Sequence, residues 1–195
     1  MQFQNLLEMV RTEVTTEYTG DSCIASVKVL SEVLHHFGYL ERIDTFPILV
    51  QAEILNKVIA EAIVAKVPNP KEVEGAYGVG VGFDKEGKES IHLVLWLPKF
   101  ACFLDPSIDQ ASRPEKNINL KPSAFVIENV EAWNKGEKVG WGTKDGAQIF
   151  YKRILGRKDL ERQFKSSPNW GSRDRGTRRK LVGKIIRASK KESGE

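Results

Sequence analysis

The chain has 195 residues, with 30 Lys or Arg against 26 Asp or Glu, and a formal net charge of +4. This length allows one domain with a substantial core, and no apolar run approaches the length of a transmembrane helix. With 2 Cys, 3 His and no Cys-x-x-Cys pair, neither a structural zinc site nor a bound cofactor is expected. No secretion signal is recognised at the start, so a cytoplasmic protein with reduced thiols is expected.

Two amphipathic helices are predicted at the start of the chain, over residues 2–18 and from Cys23 onward. In the second helix, apolar residues recur at the spacing of one helix face. They are Ile24, Val27, Leu30, Val33, Leu34 and Phe37. Asp21 and Ser22 are candidate N-caps, and Gly38 is the candidate C-terminal cap. This helix is therefore expected to begin within a residue of Cys23.

A cysteine at the start of a helix has two interpretations. The positive end of the helix dipole and free backbone N–H groups favour the reactive thiolate. The alternative is that Cys23 is simply buried and inert, as free cysteines usually are. For Cys102 the inert interpretation is preferred, because strand alternation puts it on the core face, opposite to Asp105.

Short β-prone segments separated by turn residues dominate the middle of the chain. Strands are predicted at residues 45–55, 76–83, 90–97, 100–104, 123–130 and 148–154. The second, third and fourth are expected to form a β-meander. Residues 56–66 could continue the first strand, but their alanines favour a short helix. Residues 105–120 and the glycine-rich segment VGWGTKDG are expected to be loops.

His92 and Asp105 are predicted to be cross-strand neighbours. A tight turn centred between Pro98 and Lys99, with an even number of loop residues, places them directly opposite each other on one face. A carboxylate there can accept a hydrogen bond from the imidazole, fix its tautomer and raise its basicity. The alternative is an exposed pair worth under about 1 kcal/mol. His35 and His36 lie about 18 Å along the helix from the cysteine, which indicates a structural role.

A cysteine at the head of a helix, then a strand with histidine, then the next strand with aspartate, resembles the papain-like cysteine-enzyme superfamily. Within it, this order is most similar to the transglutaminase-like and arylamine N-acetyltransferase-like branch. The resembling segments lie within residues 18–115 and are DSCIASVKVLSEVLHHFGYLERID, IHLVLWL and FACFLDPSIDQASRP. The resemblance implies a papain-like α+β fold, with N-terminal helices, including the nucleophile helix, packed on an antiparallel β-sheet.

The same resemblance implies a catalytic triad with Cys23 as nucleophile, His92 as base and Asp105 as orienting residue. The chain departs from the family in two places. Residues 56–75 lengthen the separation between cysteine and histidine, and no glutamine precedes the cysteine in the papain manner.

The missing glutamine leaves the oxyanion hole unassigned. The candidates are the backbone N–H of Cys23 and a second donor from Tyr18 or Gln51.

Residues 156–195 are predicted to be a basic, helical extension, partly flexible at its end, of a catalytic domain over residues 1–155. An apolar stripe at Leu181, Val182, Ile185 and Ile186 could dock this helix onto the body with only its outer face basic. The basic residues could bind nucleic acid or an acidic partner, with Trp170 available to stack on a base; alternatively they are a solvated charge run. The candidate contacts are Arg173, Arg175, Arg178, Arg179, Lys180 and Lys184.

Two functions follow from these patterns. In the first, the protein is a thiol-dependent hydrolase or transferase acting on an amide, ester or thioester of a small molecule or protein. In the second, a papain-like fold without turnover binds nucleic acid or an acidic protein through its basic C-terminal segment. The triad alone does not distinguish a protease, an amidase, a deamidase, a transglutaminase or an acyltransferase.

Overall fold

The computed structural model describes residues 3–18, 22–37, 45–83 and 86–193, which contain six helices and seven strands. The helices are α1 (Phe3–Glu17), α2 (Ser22–His36), α3 (Lys57–Val64), α4 (Val130–Asn134), α5 (Lys158–Ser166) and α6 (Arg175–Ser193). The strands are β1 (Phe46–Leu55), β2 (Gly78–Val81), β3 (Leu93–Leu97), β4 (Cys102–Asp105), β5 (Ser123–Val126), β6 (Lys138–Gly142) and β7 (Gln148–Arg153). The fold is therefore α+β, as predicted; the predicted caps Asp21 and Gly38 lie outside the described residues.

The segment after β1 is a helix because Asn56 caps it. The Asn56 side-chain oxygen accepts a hydrogen bond from the backbone N–H of Ile59 at 3.2 Å, as an N-cap does. The strand therefore ends at Leu55 and α3 begins two residues later. The preference for a short helix here is confirmed.

The seven strands of the described chain form one curled, antiparallel sheet, in which six lie in the order β5-β4-β3-β1-β7-β6 and β2 pairs with β1. The long strand β1 is central: residues 46–49 pair with β3, and residues 52–55 pair with β2 on the same side. The predicted meander is therefore wrong in its first step, because β2 and β3 each pair with β1 rather than along each other. Its second step, the pairing of β3 with β4, is confirmed.

The strand β6 lies in a segment predicted to be a loop. Its sequence, KVGWG, is glycine-rich, which usually weakens a strand. Here Gly140 has a packing reason, since a Cβ atom at this position would come within 2.7 Å of the Phe150 ring. The glycine allows that ring to lie across the neighbouring strand.

Two hydrophobic clusters cover the two faces of the sheet. The helix-side cluster joins α1, α2 and the sheet residues Leu49, Leu93, Leu95, Leu97 and Leu104. The inner-face cluster fills the concave side of the curled sheet and is rich in aromatic rings. Its large members include Trp96, Phe103, Phe125, Trp133 and Tyr151.

The C-terminal helix α6 packs on the two N-terminal helices. Leu181 and Ile185 are 3% and 1% exposed and belong to the helix-side cluster, together with Leu160 and Phe164 of α5. The apolar stripe therefore docks onto the body, which was one of the alternatives for this segment. Within the described residues, no helix is both long and apolar enough to cross a membrane.

Candidate active site

Cys23 is the second residue of α2, so the prediction that a helix begins at this cysteine is confirmed. The first N–H groups of a helix have no partner within the helix, and the helix dipole is positive at this end. The Cys23 side chain is 8% exposed, and its Sγ lies 3.9 Å from the carbonyl oxygen of Ile91. The thiol therefore lies against the backbone immediately before His92.

His92 and Asp105 are hydrogen-bonded, although not through the predicted register. Trp96 pairs with Phe103, so Asp105 lies diagonally across from His92 rather than directly opposite. Long side chains bridge such diagonal positions, and the His92 Nε2–Asp105 Oδ2 distance is 2.7 Å. The pair forms because the register differs by two residues, which keeps both side chains on the same face.

The turn between the two strands explains the difference in register. Pro98–Phe100 forms a 3₁₀ turn, and Ala101 adopts a left-handed conformation with φ of 46°. The loop therefore takes four residues where a two-residue turn was predicted. Because the loop length remains even, the alternation of faces is preserved.

Asp105 is fully buried, and four hydrogen bonds hold its carboxylate. The His92 Nε2–H and the Tyr151 hydroxyl both donate to Oδ2, each at 2.7 Å. The backbone N–H and the hydroxyl of Ser107 donate to Oδ1 at 3.0 and 3.3 Å. A buried carboxylate needs such partners, so this group is rigidly placed rather than an exposed cross-strand charge.

Tyr151 reaches Asp105 because the sheet curls. Two strands separate β7 from β4, which in a flat sheet amounts to about 14 Å between them. The concave inner face shortens that path, and the Tyr151 ring is held 4.8 Å from Phe103 and 5.0 Å from Phe125, centroid to centroid. The aromatic cluster therefore aims the phenol at the carboxylate.

The surroundings of the buried pair favour the charged form of both groups. Burial lowers the pKa of His92, but the charge and hydrogen bond of Asp105, together with a hydrogen bond to Cys23, raise it to about 10. Burial raises the pKa of Asp105, but the charge and hydrogen bonds of His92, Tyr151 and Ser107 hold it below the ordinary value. Burial and the Asp105 carboxylate raise the pKa of Tyr151 well above its ordinary value, so the phenol remains a donor.

His92 thus lies between Asp105, to which it is hydrogen-bonded at 2.7 Å, and the Cys23 thiol, which lies against the Ile91 carbonyl. An ionised carboxylate only accepts hydrogen bonds, so Nε2 of His92 must be the protonated nitrogen that faces it. The Cys23 side chain is among the neighbours that raise the pKa of the ring. A cationic imidazole beside a thiol favours the thiolate. The chain can therefore supply both a nucleophile and a proton donor.

Gly82 allows β1 to approach His92 closely. Its φ is +80°, and an added Cβ would lie 2.5 Å from the carbonyl oxygen of Val50 and 3.4 Å from the Cβ of His92. The backbone N–H of Val50 donates to the His92 carbonyl at 3.0 Å. A side chain at Gly82 would collide with the backbone of β1 beside the histidine.

The two candidate oxyanion donors differ in their surroundings. The Tyr18 hydroxyl donates to the Asp174 carboxylate, so it is engaged elsewhere and is a poor candidate. Gln51 follows Val50 on β1 and is half-buried beside the histidine backbone. Tyr18 is therefore the weaker of the two candidates.

A groove of about 640 Å³ is lined in part by Gln51; Cys23, His92 and Asp105 are not among its lining residues. Gln51 and Glu53 alternate along β1 with residues that face the inner-face cluster, so they lie on the same face of the sheet as Leu49. At Leu49 the helices cover this face. The groove therefore lies on the uncovered part of the face on which α2 packs. Its polar lining includes Glu53, Lys71, Lys138 and Lys152, and its apolar lining includes Phe83 and Phe150.

The remaining candidate groups lie apart from the three residues of the predicted triad. Cys102 is half-buried beside the helix-side cluster, and burial raises the pKa of its thiol. His35 Nε2 lies 2.8 Å from the Thr45 hydroxyl, which agrees with a structural role. Among the described residues, no group of three or more His, Cys, Asp or Glu is arranged to hold a metal ion.

Replacing Tyr151 by Phe is expected to lower the free energy of unfolding by about 1.5–3 kcal/mol, since it removes a hydrogen bond to a charged, buried acceptor. The ring itself is retained, so the aromatic packing with Phe103 persists. Urea unfolding followed by circular dichroism measures the change. Tyr77→Phe is the control, because Tyr77 lies only partly buried at the edge of the inner-face cluster; an equal loss in both variants would contradict the role given to the phenol.

Comparisons of the chain with protein-family models, with curated proteins and with solved structures found no match. The chemistry of the site is therefore inferred from its own residues.

Proposed function

We propose that this protein is a thiol-dependent acyl-group hydrolase or transferase with a papain-like arrangement of its catalytic groups. Cys23 is the nucleophile, His92 is the general acid and base, and Asp105 orients His92. The observation that carries the proposal is the buried His92–Asp105 hydrogen bond of 2.7 Å, with the Cys23 thiol at the start of a helix against the Ile91 carbonyl beside it. A structural ion pair needs neither a thiol at its end nor a helix terminus beside it.

The reaction proceeds in two halves. The Cys23 thiolate attacks the carbonyl carbon of an amide, ester or thioester, and His92 gives its proton to the leaving nitrogen, oxygen or sulfur. The acyl group is then held on Sγ as a thioester. Water, or an amine in a transferase, loses a proton to His92 and attacks that thioester, which restores the thiolate and the imidazolium.

The negative oxygen of each tetrahedral intermediate needs donors that already point at it. The backbone N–H of Cys23, in the first turn of α2, is one. The side-chain amide of Gln51 is proposed as the second.

The proposal is tested by trapping the acyl-enzyme with p-nitrophenyl acetate. We expect a burst of nitrophenolate and an acetyl group on Cys23, located by peptide mass spectrometry, in the wild type and in Cys102→Ala. Cys23→Ala should lose both the burst and the label. Acetylation that falls on Cys102 or on lysines, with Cys23 unmodified, would refute the proposal.

A further inference from the structure

The outer face of α6 is strongly basic. The exposed residues of α6 with described side chains are all Arg or Lys except Gly176 and Ala188. They are Arg175, Arg179, Lys180, Lys184, Arg187, Lys190 and Lys191. We call these seven residues the α6 basic face. Nothing in the proposed acyl chemistry uses this face.

The apolar stripe of α6 orients this face toward solvent. Leu181, Ile185 and Ile186 are buried against the body, so the cations on the opposite side of the helix cannot turn inward. Lys180, Arg187 and Lys191 follow one another at helical spacing along one row, which spans about 16 Å. Within the described residues, Arg179 and the three members of this row form no ion pair. Their charges are therefore available to an external anion.

Not every basic residue of this segment lies on that face. Arg178 is 4% exposed and donates to the Gly171 carbonyl at 2.7 Å, and it also pairs with Glu32 and Asp174. It holds α6 to α2 and is not available to a partner. Lys184 lies on the face but is paired with Glu13 of α1 at 2.6 Å.

We propose that the α6 basic face binds the phosphate backbone of double-stranded nucleic acid without reading its sequence. A fixed row of cations on a rigid helix matches the regularly spaced charges of a duplex. Base edges are read by amide and carboxylate side chains as well as by Arg and Lys. None of the described exposed residues of this face is Asn, Gln, Asp or Glu. Binding is therefore governed by counterion release and is strongly dependent on salt.

Two other anionic partners fit the surface less well. Helices that lie on membranes insert apolar side chains, and the apolar side chains of α6 are buried against α1 and α2. Single-stranded nucleic acid needs exposed aromatic rings on which bases stack. Trp170, the predicted candidate, is half-buried between the Phe164 ring at 5.1 Å and the Lys28 ammonium at 5.1 Å. It is therefore not free to stack on a base.

The test uses the full chain and a short fluorescein-labelled DNA duplex, with binding followed by fluorescence anisotropy from about 50 to about 200 mM salt. One variant replaces Arg179, Lys180, Arg187 and Lys191 by Gln. The control replaces four exposed lysines outside α6 by Gln, which lowers the net charge equally. They are Lys66, Lys99, Lys121 and Lys144.

The wild type is expected to bind with a Kd of about 10⁻⁴ to 10⁻⁶ M. The α6 variant should lose about 3 to 4 from the slope of log K against log salt, since each lost phosphate contact removes about 1. The control should keep the wild-type slope. Lys180→Gln and Arg187→Gln, tested singly, should each remove about 1, which covers the case in which the quadruple variant misfolds.

Three results would overturn the proposal. The first is that the wild type fails to bind the duplex at about 50 mM salt. The second is an equal loss of slope in the α6 variant and in the control, which would mean that net charge alone matters. The third is binding to vesicles of anionic phosphatidylserine in preference to the duplex, which would assign the face to a membrane.

Discussion

Replacing His92 by Gln is expected to slow alkylation of Cys23 by iodoacetamide at least tenfold near neutral pH. Glutamine keeps a donor for Asp105 but has no charge, so the thiol loses its cationic neighbour. An ordinary thiol carries only a few per cent of thiolate at about pH 7. In the wild type, His92 has a pKa raised to about 10 by Asp105 and Cys23 against the effect of burial, so it stays cationic across the neutral range.

The pH dependence of the labelling rate distinguishes the loss of the His92 charge from a change in the access of iodoacetamide to Cys23. Wild-type labelling of Cys23 should be faster than labelling of His92→Gln between about pH 6 and about pH 9, since His92 keeps its proton there. The difference between the two proteins should shrink as the pH rises toward about 10, where His92 loses its charge. Cys102, read in the same samples by peptide mass spectrometry, is the internal control. Identical profiles for wild type and variant at Cys23 would remove His92 from the proposed site.

The local parts of the site could be predicted from the sequence. The spacing of apolar residues identified α2, and the polar residues that precede this helix indicated that it begins at Cys23. Strand alternation put His92 and Asp105 on one face. Both features depend only on neighbours along the chain, which is the information that periodicity carries.

The register of β3 against β4 could not be predicted from hydrophobic periodicity and strand alternation. The dipeptide Pro98-Lys99 gave no sign that the turn would extend to Ala101 in a left-handed conformation, which non-glycine residues rarely adopt. The directly opposed pairing of His92 with Asp105 was wrong, but their hydrogen bond forms because a shift of two residues keeps both side chains on one face. A shift of one would have separated them.

Tyr151 could not be predicted because its role depends on strand order and curvature. It lies 46 residues after Asp105 in the sequence, and two strands stand between them in the sheet. Only the order β4-β3-β1-β7 and the curl of the sheet bring the two side chains together. The same dependence on long-range pairing explains why the first step of the β-meander was wrong: β1 is long enough to pair with β2 and β3 on one side.

Asp105→Asn is expected to lower the free energy of unfolding by about 3–5 kcal/mol near pH 6, because it leaves the buried His92 without its counter-charge. The proteins with and without this substitution are compared in a Cys23→Ala background, so that the Cys23 thiol does not titrate. Urea unfolding followed by circular dichroism gives the difference between these two proteins at each pH.

The difference in the free energy of unfolding between these two proteins should be constant over a plateau and should become smaller at lower and at higher pH. His92 has its pKa raised from 6.5 to about 10, so its contribution is full below about pH 6.5 and is lost as the pH rises toward 10. Asp105 has its pKa lowered, so its contribution is full above about pH 4 and is lost as the pH falls through the folded value. The destabilisation by Asp105→Asn should therefore be greatest between about pH 4 and about pH 6.5.

Asp109→Asn is the matched control, since it makes the same change four residues further along the chain. Asp109 pairs with Arg11 at 2.8 Å in a partly exposed position, so its loss should cost under about 1 kcal/mol. An Asp105→Asn effect that stays constant from about pH 5 to about pH 9 would mean that His92 is not the titrating partner. The imidazolium could then not serve as the proton donor that the proposed acyl chemistry requires.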